Sequence, residues 1–133
     1  ICLSKIQAKM KKPSVFTQKH TVQPQETAAA IGSGSLEVFS TPSLGALMEN
    51  TAIQAIKGEL SEGETSVGAE IFIEHLRASK VGETLTATAE MKAHEGSSIF
   101  IQIEVKNERN DLIGRAKHTR VVVDPEKFMH RLD

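Results

Sequence analysis

Between Pro42 and Ile56 the chain carries a single charged side chain, Glu49, in a stretch whose apolar residues recur at helical spacing. Leu44, Leu47, Met48, Ala52, Ala55 and Ile56 mark one stripe, and Gly45, Ala46 and Ile53 extend small or apolar character around most of the circumference. Such a helix is stable only when surrounded, because apolar surface on nearly every side must leave water. Thr41-Pro42 opens it: Thr41 is suited to cap exposed amides, and proline is tolerated in the first turn, where its missing N–H has no partner to lose. Gly58, after Lys57, supplies a stop.

What surrounds the helix is legible downstream. After a turn at Ser61-Glu62-Gly63-Glu64 the pattern changes to period two. Val67, Ala69, Ile71, Ile73 and His75 fall on one side of a strand, with Gly68, Glu70, Phe72, Glu74 and Leu76 on the other. Leu85, Ala87, Ala89, Met91 and Ala93 alternate with Thr84, Thr86, Thr88, Glu90 and Lys92, and Glu95-Gly96 turns into a strand with Ile99, Ile101, Ile103 and Val105 on one face. Asn107 to Asp111 turns again, and Leu112 to Val123 is a last strand, bent near Gly114. Ser14 to Val22 reads as a first strand. The stretch from Gln25 to Ser40, with Gly32-Ser33-Gly34-Ser35 inside it, reads as a loop or short helix able to act as a lid. Asp124-Pro125 opens a terminal helix that would dock through Phe128 and Leu132. One long buried helix and a mainly antiparallel sheet give an α+β chain, the sheet wrapped around the helix, which is the hotdog fold. The sheet's open edge and outer face favour a homodimer.

Residues 1–13 (ICLSKIQAKMKK before Pro13) carry no clear period and read as a flexible segment ahead of one domain, 14–133. Met10 looks like an ordinary start, so residues before it are expected to be an extension dispensable for folding. The 133 residues carry 16 basic and 17 acidic side chains, a balance that predicts no strong attraction to nucleic acid or to an anionic membrane surface. No apolar run approaches the length of a membrane span, and the expected compartment is the cytoplasm. Cys2 is the only cysteine, which excludes an intrachain disulfide; no metal site or cofactor is expected.

The candidates for chemistry are polar residues where apolar ones would cost less. Glu49 is either at a functional pocket or on an exposed strip beside a cation, since a carboxylate buried without a partner costs several kcal/mol. His75 ends an apolar strand face and is either a core-edge histidine or a group aimed into a cleft. Thr41 is a plain cap, or a hydroxyl placed beside free amides that would stabilise a developing oxyanion. His118 and Arg120 read as surface or sheet-packing residues that could also line the same cleft, and His94 as a solvated turn residue.

VFSTPSLGALME (38–49), ETSVGAEIFIEHLRASKVGETL (64–85) and the ending IGRAKHTRVVVDPEKF resemble the hotdog thioesterases of the fluoroacetyl-CoA thioesterase type, over most of the chain. The resemblance implies an acyl-CoA thioesterase with Thr41, Glu49 and His75 as the active site, and Gly68 and Arg120 contacting the acyl-CoA substrate. It implies a site between two protomers, Glu49 acting as general base or nucleophile and no cofactor. The fluoroacetyl-specific enzyme has an aromatic-lined lid, whereas AAAIGSGSLEVF here has Phe39 alone, so the expected substrate is a small acyl-CoA of open identity. The alternatives are a non-catalytic module binding acyl-CoA or a related ligand, a hotdog hydratase, and a structural dimerisation domain. The longer hydratase motif ahead of the strands is not found.

Overall fold

A computed structural model describes residues 14–133; the expected loose terminus and the Met10 start lie outside the described residues. The elements run β1 (Val15–Thr21), α1 (Ala28–Ile31), α2 (Thr41–Ala55), β2 (Thr65–His75), β3 (Thr84–Glu95), β4 (Ser98–Lys106), β5 (Leu112–Val123) and α3 (Pro125–His130), with single 3-10 turns at Pro24–Glu26 and Lys57–Glu59. The five strands form one sheet in the order β1-β3-β4-β5-β2, with every neighbouring pair antiparallel. The sheet's inner face packs on α2, as the hotdog reading expects. Leu44, Met48, Ala52 and Ile56 are fully buried against Leu85, Ala87, Ala89, Ile99, Ile103, Val105 and Ile113. Alternation is strictest in β4, where Ile99, Ile101, Ile103 and Val105 are buried and the residues between them are not. A single chain leaves part of α2 uncovered, since Ala46 and Asn50 are exposed.

The ends of α2 differ from the expected ones. Ser40, not Thr41, is the N-cap: its Oγ accepts from the Ser43 amide at 3.2 Å. Thr41 and Pro42 are the first two helical residues, where proline's missing N–H costs nothing and the Thr41 hydroxyl is not needed for capping. The helix stops at Ala55, before Gly58, and Lys57–Glu59 tighten into the 3-10 turn.

Bulges break the expected alternation in three strands. Gly68 pairs with Arg120 but Glu70 with Thr119, so Ala69 is an extra residue and Gly68, not Ala69, shares the inner face with Ile71 and Ile73. A second slip between Met91 and Ala93 pairs Ala93 with Phe100 and His94 with buried Ile99. His94 is therefore a strand residue and not a turn one; it is exposed, as expected, with Nδ1 2.7 Å from Glu59 Oε1. The bend expected near Gly114 is a third slip, opposite Val105/Lys106.

The expected lid contains the one-turn α1 and is tied at its base. The Ser40 amide donates to the Glu26 carbonyl, the Ala28 amide to Val38 and the Phe39 amide to Ser79. Phe39, its only aromatic, is buried in the core with its ring 5.8 Å from that of His20, while Leu36 is exposed. Phe128 of α3 is half-buried and Leu132, past the end of α3, is exposed, so only one of the two expected docking residues is covered.

Candidate active site

α2 runs along the inner side of β2, and the two meet at three levels. At the helix start Thr41 Oγ1 and His75 Nδ1 share a hydrogen bond of 2.8 Å. One turn on, Gly45 lets the helix approach Ile73, whose Cδ1 lies 3.0 Å from where a Cβ on that glycine would stand. At Glu49 the carboxylate reaches across Gly68, with Oε2 2.9 Å from the position a Cβ there would take.

The expected site residues thus form two groups. Glu49, Gly68 and Arg120 are together: Arg120 Nη1 is 3.5 Å from Glu49 Oε2, and the Arg120 side chain is 7% exposed. Thr41 and His75 are together at the other end. Gly68 and His75 pair with Arg120 and Gly114 of β5, so about 20 Å of strand separates them. Along α2, Thr41 and Glu49 are about 12 Å apart. Within one chain no acyl carbonyl can touch both Glu49 and His75.

His118 belongs to the first group, and the reading of it as a surface or sheet-packing residue understates it. It is buried, with Nδ1 2.7 Å from the Glu70 carbonyl, Nε2 3.1 Å from Arg120 Nη1 and Nε2 3.8 Å from Glu49 Oε2. Burial holds its pKa below the usual histidine value; the Glu70 carbonyl opposes this, Arg120 adds to it and Glu49 opposes it. The ring is therefore neutral near pH 7, and its contact with Glu49 is not an ion pair. Burial also lowers the pKa of Arg120, with Glu49 opposing, and an arginine remains charged throughout. The signal for His118 was available in the sequence, because it alternates in phase with Ala116, Arg120 and Val122 on β5.

His75 is half-buried, and burial lowers its pKa, with the Arg77 backbone opposing. Its Nε2 is buried and meets no hydrogen-bond partner among the described residues. The remaining histidines lie elsewhere: His20 on Glu26 at 2.8 Å, His94 on Glu59, and the exposed His130 near Asp133. In the first turn of α2, Pro42 has no N–H, Ser43 donates to Ser40 Oγ and Leu44 to the Ser40 carbonyl. The expected set of free amides beside Thr41 shrinks to that of Thr41 itself. Among the described residues no three His, Cys, Asp or Glu side chains gather in a group able to hold a metal, and no helix is long and apolar enough to cross a membrane.

A carboxylate on a helix, a buried guanidinium facing it and a histidine–threonine pair with a free ring nitrogen make a site able to activate water and polarise a carbonyl. Comparison with known proteins gives that chemistry a family. The curated fluoroacetyl-CoA thioesterase of Streptantibioticus cattleyicolor is 33% identical over 119 residues, 85% of each chain. A crystal structure of the fluoroacetyl-CoA thioesterase superposes with a TM-score of 0.83 at 30% identity, covering 92% of this chain and 95% of that one. A variant of that enzyme in complex with fluoroacetate and CoA gives 0.81 at 31%, covering 90% and 99%. A Thermus thermophilus thioesterase superfamily member shares the fold, with a TM-score of 0.83 at 24% identity over 92% and 93% of the two chains. Residues 22–126 match the family described as FlK, fluoroacetyl-CoA-specific thioesterase, and the chain belongs to that family.

Proposed function

We propose that this protein is an acyl-CoA thioesterase that hydrolyses a small acyl-CoA to the free acid and CoA, at a site completed by a second copy of the chain. The observation that carries the chemistry is the Glu49 carboxylate, the one charge on α2, held between Gly68 and Arg120. Glu49 takes a proton from water as the water oxygen attacks the thioester carbon, or attacks that carbon itself to give a mixed anhydride that water then opens. Either way the C–S bond breaks, CoA leaves as the thiolate and a proton returns to it. His75 meets the carbonyl oxygen. With the Thr41 hydroxyl donating to Nδ1, the ring's proton sits on Nε2, the buried nitrogen without a partner, and points at a developing oxyanion.

The separation of the two groups supports a shared site. Among the described residues β2 is an edge strand whose outward backbone groups have no neighbour in the sheet. The midpoint of Gly68 and His75 falls between Ile71 and Phe72. Two copies pairing their β2 edges antiparallel about that point would set the Glu49 of one against the partner's His75 and the partner's Thr41. The family's named substrate is not carried over whole, because the only aromatic of the lid, Phe39, is used in the core.

The test is CoA release from a panel of short, branched and aromatic acyl-CoAs by wild type and Glu49→Gln, with a protein-only blank because thiol reagents also report Cys2. Glu49→Gln keeps shape but removes base and nucleophile, and is expected to lower kcat by about 10²–10⁴-fold. Turnover within a few-fold of wild type would refute the role of Glu49. Saturable binding without any release by wild type would favour a non-catalytic binding module.

A further inference from the structure

Arg120, paired with Gly68 on the inner face of the sheet, is the residue whose charge faces Glu49. Its Nε donates to Ser66 Oγ at 2.8 Å and its Nη2 to the Ser66 carbonyl at 3.0 Å. Those two bonds grip one edge of the guanidinium. The other edge, Nη1, is held by His118 Nε2 at 3.1 Å, leaving an Nη1 hydrogen toward Glu49 Oε2. We infer that His118 is a positioning residue for the Glu49 carboxylate, its Nε2 accepting from Arg120 so that the guanidinium stays aimed at Glu49; this rests on the thioesterase reading of the site.

The partners fix the ring's protonation without any appeal to its pKa. A carbonyl only accepts, so the Nδ1 that faces the Glu70 carbonyl at 2.7 Å carries the hydrogen. A guanidinium only donates, so Nε2 is bare and accepts from Nη1. The ring is a neutral Nδ1–H tautomer with both nitrogens used. Glu70 is the residue directly after the bulged position, so the irregularity in β2 supplies the acceptor that orients the ring. Burying an imidazole beside a guanidinium costs desolvation that an apolar side chain at 118 would avoid. A purely packing role does not account for that arrangement, whereas aiming the guanidinium at Glu49 does.

Two substitutions separate the two bonds. In His118→Gln the side-chain oxygen reaches the place of Nε2 and accepts from Arg120, but the Glu70 bond is lost. In His118→Asn the amide reaches only the place of Nδ1, donating to Glu70 and abandoning Arg120. Steady-state CoA release is measured for wild type and both variants on the acyl-CoA with the best wild-type turnover, with thermal melts to confirm folding. His118→Asn is expected to lose about tenfold or more in kcat with KM within about threefold, and His118→Gln to keep kcat within about threefold of wild type. Equal losses in the two variants, or a loss confined to KM, would overturn the inference. A second readout needs no turnover: long-range 15N–1H correlation of the wild-type His118 ring is expected to show a protonated Nδ1 and a bare Nε2. The opposite tautomer overturns the inference, whereas no CoA release by wild type, with the expected tautomer present, overturns the thioesterase reading and leaves the His118–Arg120 link standing.

Discussion

Gly68→Ala separates the role of the Glu49 carboxylate from the stability of the fold. The new methyl would stand 2.9 Å from Glu49 Oε2, while Arg120 Nη1 and His118 Cε1 lie at 3.4 Å, already at ordinary contact. The carboxylate must retreat by about 0.5 Å to reach the same separation, and it is the flexible partner that can do so. Gly68 lies in extended backbone on an edge strand, where alanine is accommodated and loses less conformational entropy on folding than glycine. The melting temperature should therefore stay constant or rise slightly. Activity should not, because a misplacement of about 1 Å costs roughly 10²-fold and half of that about tenfold. The assay is CoA release with kcat and KM resolved, alongside a thermal melt. A folded Gly68→Ala protein with kcat within about twofold of wild type would refute the reasoning that the pose of Glu49 across Gly68 is the reactive one.

Three further outcomes follow from the start of α2 and from His75 and His118. Thr41→Val removes the hydroxyl on His75 without touching the helix cap and is expected to lower kcat about tenfold at unchanged stability, whereas Ser40→Ala is expected to cost about 1 kcal/mol in a denaturant melt. The His75 and His118 rings both have pKa values below the ordinary 6.5, so the unfolded chain binds more protons than the folded one as pH falls through that range. The stability they contribute is present above about pH 6.5 and is lost as pH falls toward their folded values. Melts between pH 7.5 and 5 should show that decline, and it should be shallower in His118→Gln; a pH-independent melting temperature would contradict both shifts.

Much of this fold is written in two periods of the sequence. The single charge on α2 and the strict alternation of β4 are direct consequences of one element being wrapped by the other. The bulges were not legible, because an inserted residue such as Ala69 leaves the sequence looking alternately apolar while the faces change places behind it. That slip is what puts Gly68, and not Ala69, under the carboxylate. The cap was ambiguous for a local reason: Ser40 and Thr41 are adjacent residues of equal capping chemistry, and only the start of the helix decides between them. Thr41, Glu49 and His75 stood out in the sequence as polar residues in apolar places, while Gly68 and Arg120 were named through the family resemblance; their division into two distant groups depends on how α2 lies along β2. His118 was visible only as a phase on β5, and its role follows from the Glu70 carbonyl that the bulge presents to it.

The central claim is a thioesterase site built from Glu49 of one protomer and the Thr41–His75 pair of another. Its most direct test is a heterodimer of Glu49→Gln and His75→Ala chains, co-expressed with two tags and purified through both. Each parent homodimer should be inactive in CoA release. In the heterodimer one of two sites regains both wild-type groups, so turnover should return to about half that of wild type. A heterodimer as inactive as its parents would contradict the shared site and, with it, this account of how Glu49 and His75 come to act on one thioester.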